Sequence, residues 1–373
     1  MSLFMAIEGT TLQPNYHIEV LELDGPNREW DSFVLAHPHG DLVQTSVWGL
    51  SKRSIGQTPR LITLRDKASR SVGGMLLIER RLGFWMRVGY VARGPLALGD
   101  DLLILRTALD AACACMRKRK LVGLIVQLSE GSELRDKVLD DAGFMDGGLG
   151  VAPEATIRVD VTQTDDSILS AMSKSRRGIV RNSMKKSFEI EHSSDVETFY
   201  RLHLATGTRA GFTELSLEYL NAQWQALAPS GYVTILLARH QGKAMAGLWL
   251  SHFGEVVTLR LSGWDAAVAG PAHVNEAIHW AAIQWARSVG ARICDFGGFD
   301  RDSAERVLSG RPLTSDFVKS RYYFKLSFNG VPTLLPKPHF LVANRVASRL
   351  TRWLAAALLQ SPQVRKIAQR LRS

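Results

Sequence analysis

The sequence predicts an α/β (α+β) chain of two tandem domains, each built on a mixed central sheet. Two observations carry this. At 373 residues the chain exceeds what a single hydrophobic core usually serves. One order of elements is also legible twice: three strands, a Gly-Pro step, a helix and a fourth strand. The step is Gly94–Pro95 in the first copy and Gly270–Pro271 in the second. Agreement in order, spacing and punctuation favours duplication over a chance likeness of generic α/β patterns.

In the first copy, RLITLRD and SVGGMLLIER are strand-like runs around the polar turn KASR. GFWMRVGYVARGP is a third strand closing on Gly94–Pro95. DDLLILRTALDAACACMRKRK carries apolar residues at helical spacing, and LVGLIVQL has the length of a short buried strand. The second copy repeats this in YVTILLARH, KAMAGLWLSHF and VVTLRLSGW. The amphipathic HVNEAIHWAAIQWARSVG and the strand ARICDF follow. This order, with a helix crossing over between neighbouring strands, resembles the fold of GCN5-related N-acyltransferases (GNAT). In that fold the central strands splay apart to admit an acyl donor and an amine. A Gly-Pro step before a helix either exposes N–H groups for phosphate or carboxylate, or is a plain turn.

Between the copies, DDSILSAMSKSRRGIVRNSMKKSFEIE is expected as one basic helix, and VETFYRLHLATGTRAGFTELSLEYLNAQWQAL as two more. The C-terminal FLVANRVASRLTRWLAAALL and QSPQVRKIAQRLR are expected as amphipathic helices, lying on an anionic membrane surface or packed on the protein body. The expected domains are 1–160, 161–336 and the basic helices 337–373.

Hydrophobic residues make up 46% and charged residues 22%, ordinary for a globular protein. The formal charge is +10, and no acidic residue follows Asp316. A second basic block runs through Lys174, Arg176, Arg177, Arg181, Lys185 and Lys186. Such blocks suit nucleic acid, anionic lipid or a diphosphate-linked substrate, or form a solvated face. No apolar run reaches spanning length and the N-terminus reads as no leader, so a cytoplasmic protein is expected. Cys113, Cys115 and Cys294 lack metal-ligand spacing and are expected as buried thiols, with no metal site.

Specific words resemble the FemAB-type peptidoglycan aminoacyltransferases, which join two such acyltransferase-like domains. QTSVWGLSKRSIG looks like that family's Gln…Trp…Lys helix, and YVARGPL like its Tyr-x-Pro-Arg-Gly-Pro turn, with Ala92 in place of the proline. SKSRRGIVRNSMKK and TGTRAGF look like the start of its second domain. ARICDFGGFD looks like its Asp-Phe-Gly-Gly strand end and YYFKLSFNG like its Phe-Lys-x-Gly-Phe-Gly segment. The resemblance runs from about Gln44 to about Gly330. LRLSGWD departs from a tyrosine-rich strand, so aromatic contacts at Leu259 and Leu261 are lost. Ser327 and Asn329 replace two glycines, and a long charged helical hairpin is absent.

The resemblance implies site residues. Lys325, expected on a strand, corresponds to a lysine near the donor end, where its charge stabilises an oxyanion or the tRNA 3′ terminus; alone it would read as an exposed lysine. Phe324 stacks on a terminal base or belongs to the core. Lys52, four residues after Trp48, corresponds to a lysine that holds substrate phosphates. Arg209 is a further phosphate or carboxylate clamp, and Arg93 faces the first-domain cleft or caps a turn. Asp295, Asp300, Glu276 and His273 are the candidate bases, Asp295 equally a structural carboxylate. Gly297 and Gly298 permit close approach of a ligand. The sequence does not choose the base.

Amide formation from an activated ester needs no protein nucleophile, and no Gly-x-Ser-x-Gly elbow is present. This agrees with direct transfer, and the resemblance implies aminoacyl or acyl transfer onto an amine of a cell-wall or envelope precursor. No cofactor is implied: aminoacyl-tRNA is the donor, a lipid-linked or nucleotide-linked precursor the acceptor, and the C-terminal helices a peripheral contact with the inner face of the cell membrane. The alternatives are an acyl-CoA- or acyl-carrier-dependent N-acyltransferase acting on an amino sugar or lipid, and a non-catalytic tRNA- or membrane-binding protein.

Overall fold

The computed structural model describes residues 16–343 except 83–85, 132–133, 148–149, 187, 212–214, 270–272 and 319. It divides into two compact units, one of residues 1–152 with 336–373 and one of Pro153–Leu335.

The first unit carries strands β1 (His17–Glu22), β2 (Thr58–Arg65), β3 (Ser71–Leu82), β4 (Met86–Ala92), β5 (Leu96–Ala97), β6 (Gly123–Gln127) and β7 (Met145–Asp146). Its helices are α1 (Arg28–Ala36), α2 (Ser46–Ser51), α3 (Leu102–Lys118) and α4 (Leu134–Asp141). The sheet runs β1-β2-β3-β4-β6, then a strand at Pro338–Val342, then β7; β5 pairs with β3. Alternation assigns the two faces of β2 and β3. Ile62, Leu64, Met75 and Leu77 form one core with Leu105, Ala108, Leu109 and Ala112 of α3. On the other side α2 presses close enough that a Cβ at Gly49 would sit 3.0 Å from Leu76 and Pro59. With both faces covered, β2 is buried without a break from Pro59 to Leu64, Arg60 and Thr63 included. Asp101 caps α3 by accepting from the amides of Leu103 and Ile104.

The second unit carries α5 (Asp165–Ala171), α6 (Lys174–Met184), α7 (Val196–Ala210), α8 (Leu217–Leu227), α9 (Ala266–Ala269), α10 (Val274–Ser288), α11 (Arg301–Leu308), α12 (Ser315–Val318) and α13 (Arg321–Leu326). Its strands are β8 (Ala155–Asp160), β9 (Glu189–Ser193), β10 (Val233–His240), β11 (Lys243–Phe253), β12 (Val256–Trp264), β13 (Ile293–Gly298) and β14 (Val331–Leu334), in the sheet order β14-β8-β13-β12-β11-β10-β9. Trp280, Ile278 and Ile283 of α10 share a core with Leu236, Leu248 and Phe296 of the sheet. The series β2-β3-β4-α3-β6 and β10-β11-β12-α10-β13 are the two copies legible in the sequence. Each sheet has one parallel pair, β4 with β6 and β12 with β13.

Four expectations are corrected. The single basic helix is two, because Met172 is extended and the Ser173 side chain starts a new helix by capping the Arg176 amide. Residues 155–160 belong to the second sheet, so the chain leaves the first unit after Ala152 rather than near residue 160. The C-terminal segment does not begin as helix: Pro338–Val342, hereafter β15, lies between β6 and β7 in the first sheet. The segment YYFKLSF is helical over Arg321–Leu326, with Ser320 as its cap. The second Gly-Pro step and the tail beyond Ala343 lie outside the described residues. All three cysteines are buried free thiols, and burial pushes Cys113 up to about 11.

Candidate active site

The parallel seams of the two units differ. In the first, β4 and β6 stay paired from Val88 and Gly123 to Ala92 and Gln127, the last residue of each strand. The Arg93 amide adds one more bond to the Gln127 carbonyl, at 2.6 Å. In the second, pairing of β12 with β13 stops at Thr258 and Asp295, although β12 runs on to Trp264 and β13 to Gly298. The cause lies one strand away. The register of β11 against β12 jumps from Leu250–Leu259 to Trp249–Leu261, leaving Arg260 as a bulge. A bulge bends its strand and re-aims it, and here it sits just past the last β12–β13 pair. The β3–β4 pairing has no such shift. The second unit therefore has the open seam.

Asp295, Gly297 and Gly298 line that opening. Gly297 has φ +71°, and a Cβ there would lie 2.7 Å from the Leu259 carbonyl oxygen beside the bulge, so only glycine fits. Asp295 is 7% exposed and well occupied. One oxygen accepts from the Thr156 hydroxyl and from the Gly297 amide at 2.7 Å; the other faces Arg158 Nε at 3.3 Å. These bonds tie the end of β13 to β8 and shape the glycine turn.

Lys325 projects from α13 onto the same turn, its Nζ donating to the Gly298 carbonyl at 2.9 Å and to Gly297 at 3.3 Å. The helix also brings in Phe324. Its ring meets His279 edge-on, with centroids 5.0 Å apart, and the Arg176 guanidinium lies 5.0 Å from its centre. Arg176 is held by Glu276, Nη1 to Oε1 at 2.7 Å, with both side chains largely buried. His279 stacks on Phe296 and touches Phe328. Its Nδ1 donates to the Asn275 carbonyl at 2.7 Å, which leaves Nε2 as the lone-pair nitrogen. Burial above all, with Lys325 and Arg176 adding like charge, holds His279 down at about 4, so it is neutral at pH 7.

Lys325, Phe324, Asp295, Gly297 and Gly298 thus come together in the second unit, Lys325 arriving on a helix rather than a strand. Arg209 is elsewhere in the unit, exposed, its guanidinium 4.4 Å over Trp264 at the far end of β12. Of the other candidate bases, Asp300 caps α11 through Ser303, Glu276 is paired with Arg176, and His273 is exposed 3.7 Å from Glu276. In the first unit, Lys52 ends α2 with its Nζ 4.9 Å from the Trp48 ring, and is 6% exposed. Arg93 is buried in a positive-φ turn. Gln44, fully buried, accepts from the Leu76 amide and donates to the Ala92 carbonyl, so it builds this turn. Sequence reasoning missed His279 and, as a site residue, Arg176. His279 sits in the apolar stripe of α10 and reads as core; Arg176 is hidden in a basic run.

Two units that share one order of strands and helix, β2-β3-β4-α3-β6 and β10-β11-β12-α10-β13, make this a tandem GNAT-fold protein. A family model described as an acetyltransferase (GNAT) domain matches residues 173–305, which contain the open seam. The chain resembles proteins of the FemAB type. It is 26% identical over 229 residues to a lipid II:glycine glycyltransferase of Staphylococcus epidermidis, covering 58% of this chain and 55% of that protein. To the Staphylococcus aureus protein of the same name it is 26% identical over 330 residues, covering 84% and 78%. The first of these matches thus spans little more than half of that relative's length. Among solved structures, FemX aligns with a TM-score of 0.74 at 19% identity, over 89% of this chain and 99% of that one.

Proposed function

We propose that the chain is an aminoacyl or acyl transferase that forms an amide on a cell-envelope precursor, the acceptor amine attacking the ester of an aminoacyl-tRNA directly. The observation that carries this reading is Lys325, fixed on the Gly297 and Gly298 carbonyls where β12 and β13 part. Attack of the amine on the ester carbonyl gives a tetrahedral oxyanion; its collapse forms the amide and expels the ribose oxygen, which takes up the proton the amine has lost. A preset ammonium beside the oxyanion lowers that barrier without moving during the reaction. Phe324, backed by His279 and Arg176, offers a rigid aromatic face to a terminal base. Asp295 positions the glycine turn in this reading, since its oxygens are taken by Thr156, Gly297 and Arg158. Lys52, Trp48 and Arg93 are assigned to the acceptor and Arg209 to a phosphate or carboxylate; no cofactor is required. The similar proteins named for lipid II support a lipid-linked acceptor, and with it a peripheral place at the membrane.

The test is transfer of label from aminoacyl-tRNA, and separately from acyl-CoA, to extracted lipid-linked precursors by wild type and Lys325→Ala. Transfer from tRNA that falls about a hundredfold in the variant supports the reading. Transfer from acyl-CoA alone replaces the donor, and no transfer from either leaves a binding protein.

A further inference from the structure

Two side-chain fastenings flank the opening in the second sheet, one beside each strand that parts. The last intact row across the seam runs through Ser251 of β11, Thr258 of β12, Asp295 of β13 and Arg158 of β8. Paired residues share a face, and this row lies on the face opposite α10. Leu250, Val257, Leu259, Cys294 and Phe296 alternate with it and point into the α10 core. On the β13 side Asp295 is tied to Thr156, Arg158 and the Gly297 amide. On the β12 side the fastening is Arg260, whose Nε donates to the Ser251 hydroxyl oxygen at 3.0 Å. Ser251 is 2% exposed, so its end of this bond is shielded from water.

A bulge takes a residue out of the ladder, so ladder bonds do not set its bend. Here the side chain of the bulged residue does so, reaching back to Ser251, the partner of Thr258. The bend passes to Lys325 in two steps. Gly297 sits so close to the bulge that a Cβ on it would lie 2.7 Å from the Leu259 carbonyl oxygen. Lys325 Nζ in turn rests on the carbonyls of Gly297 and Gly298, at 3.3 and 2.9 Å. A shift of the bulge therefore displaces the glycine turn, and the ammonium with it.

We propose that Arg260 is a positioning residue for transfer, its bond to Ser251 holding the bulge so that the seam stays open and Lys325 stays at the reacting carbonyl. Arg260 Nε reaches Ser251 on the face opposite α10, whereas Phe324 meets His279 of α10, so Arg260 acts through the turn rather than on the donor. Its effect on rate rests on the transfer reading above; the link from Ser251 to the glycine turn does not. A register shift at Arg239 of β10 supplies the comparison. There an arginine Nε bonds Glu191 at 2.7 Å, and β10 adjoins β9 and β11 but not β13.

The test uses the full chain with Arg260→Met, Arg260→Lys, Ser251→Ala, the double variant Arg260→Met with Ser251→Ala, and the comparison Arg239→Met, each first checked for a cooperative urea transition. The readouts are amide hydrogen exchange over residues 293–299 and kcat and KM for transfer from aminoacyl-tRNA. Exchange at Gly297 and Gly298 should quicken severalfold in Arg260→Met and Ser251→Ala, stay at the wild-type rate in Arg239→Met, and be largely restored in Arg260→Lys, whose ammonium also donates to Ser251. In the same two variants kcat should fall on the order of tenfold with KM held within about twofold. The double variant should be no worse than the worse single, since both remove one bond. Unchanged exchange in Arg260→Met overturns the link, as do additive losses in the double variant. A raised KM with kcat kept would make Arg260 a substrate-binding residue instead. No transfer by wild type sinks the transfer reading and the role in rate with it, while the exchange result still decides the link.

Discussion

The guanidinium of Arg176 lies 5.0 Å from the centre of the Phe324 ring while its Nη1 holds Glu276 at 2.7 Å. One side chain thus supports the aromatic face beside Lys325 and neutralises a buried acid. Arg176→Ala should cost about 3 kcal/mol, because it strands Glu276. In Arg176→Met with Glu276→Gln, urea unfolding should recover most of that loss. Transfer should not recover with it, because the cation over Phe324 is still missing.

Gly297 and Gly298 are adjacent but not equivalent. Gly297→Ala places a Cβ against the Leu259 carbonyl at positive φ and should destabilise by about 1–3 kcal/mol. At Gly298 a Cβ meets Pro153 at 3.6 Å, ordinary contact, so Gly298→Ala should unfold at nearly the wild-type urea concentration. Equal midpoints for the two would contradict the assigned backbone.

His279 makes stability depend on pH in a defined direction. Its folded pKa, about 4, lies below the ordinary value of 6.5, so between these values the unfolded chain binds the extra proton. Its contribution is full above pH 6.5 and is lost as pH falls, by about 1 kcal/mol at pH 5.5 and about 3 near pH 4. The wild-type urea midpoint should fall relative to that of His279→Phe as pH drops through this window, and parallel curves would contradict it.

Gln44 binds β3 to the end of β4 inside the first unit. Gln44→Ala leaves the Leu76 amide and the Ala92 carbonyl without this buried partner and should cost about 2 kcal/mol or more. Gln44→Glu should be worse still, since a carboxylate accepts from Leu76 but cannot donate to Ala92. Thermal unfolding of the two variants checks the order.

The duplicated series was legible because strand and helix periods and turn residues are local signals, and both copies carry them. Features set by distant partners were not. Tyr322, Phe324 and Leu326 alternate with other residues like a strand, yet a six-residue helix forms because Ser320 caps it and Phe324 meets Phe328, four residues on, edge to face. Arg176 and Glu276 are 100 residues apart, and nothing near either announces the other. The bulge at Arg260, which opens the seam, arises from pairing register rather than from any glycine or proline in β12. PHFLV was absorbed into the amphipathic pattern that follows it, although its partners are β6 and β7.

The late return of β15 constrains how the protein is made. Gln127 bonds the carbonyl of Pro336, 209 residues later, and β7 joins its sheet through β15. During synthesis the second unit is contiguous and can close as soon as it clears the ribosome, whereas the first leaves the edge of β6 open until residue 342 has emerged. The part of the chain translated first is therefore the part completed last, and a fragment cut near residue 160 carries an unpaired strand edge, a ready site for aggregation.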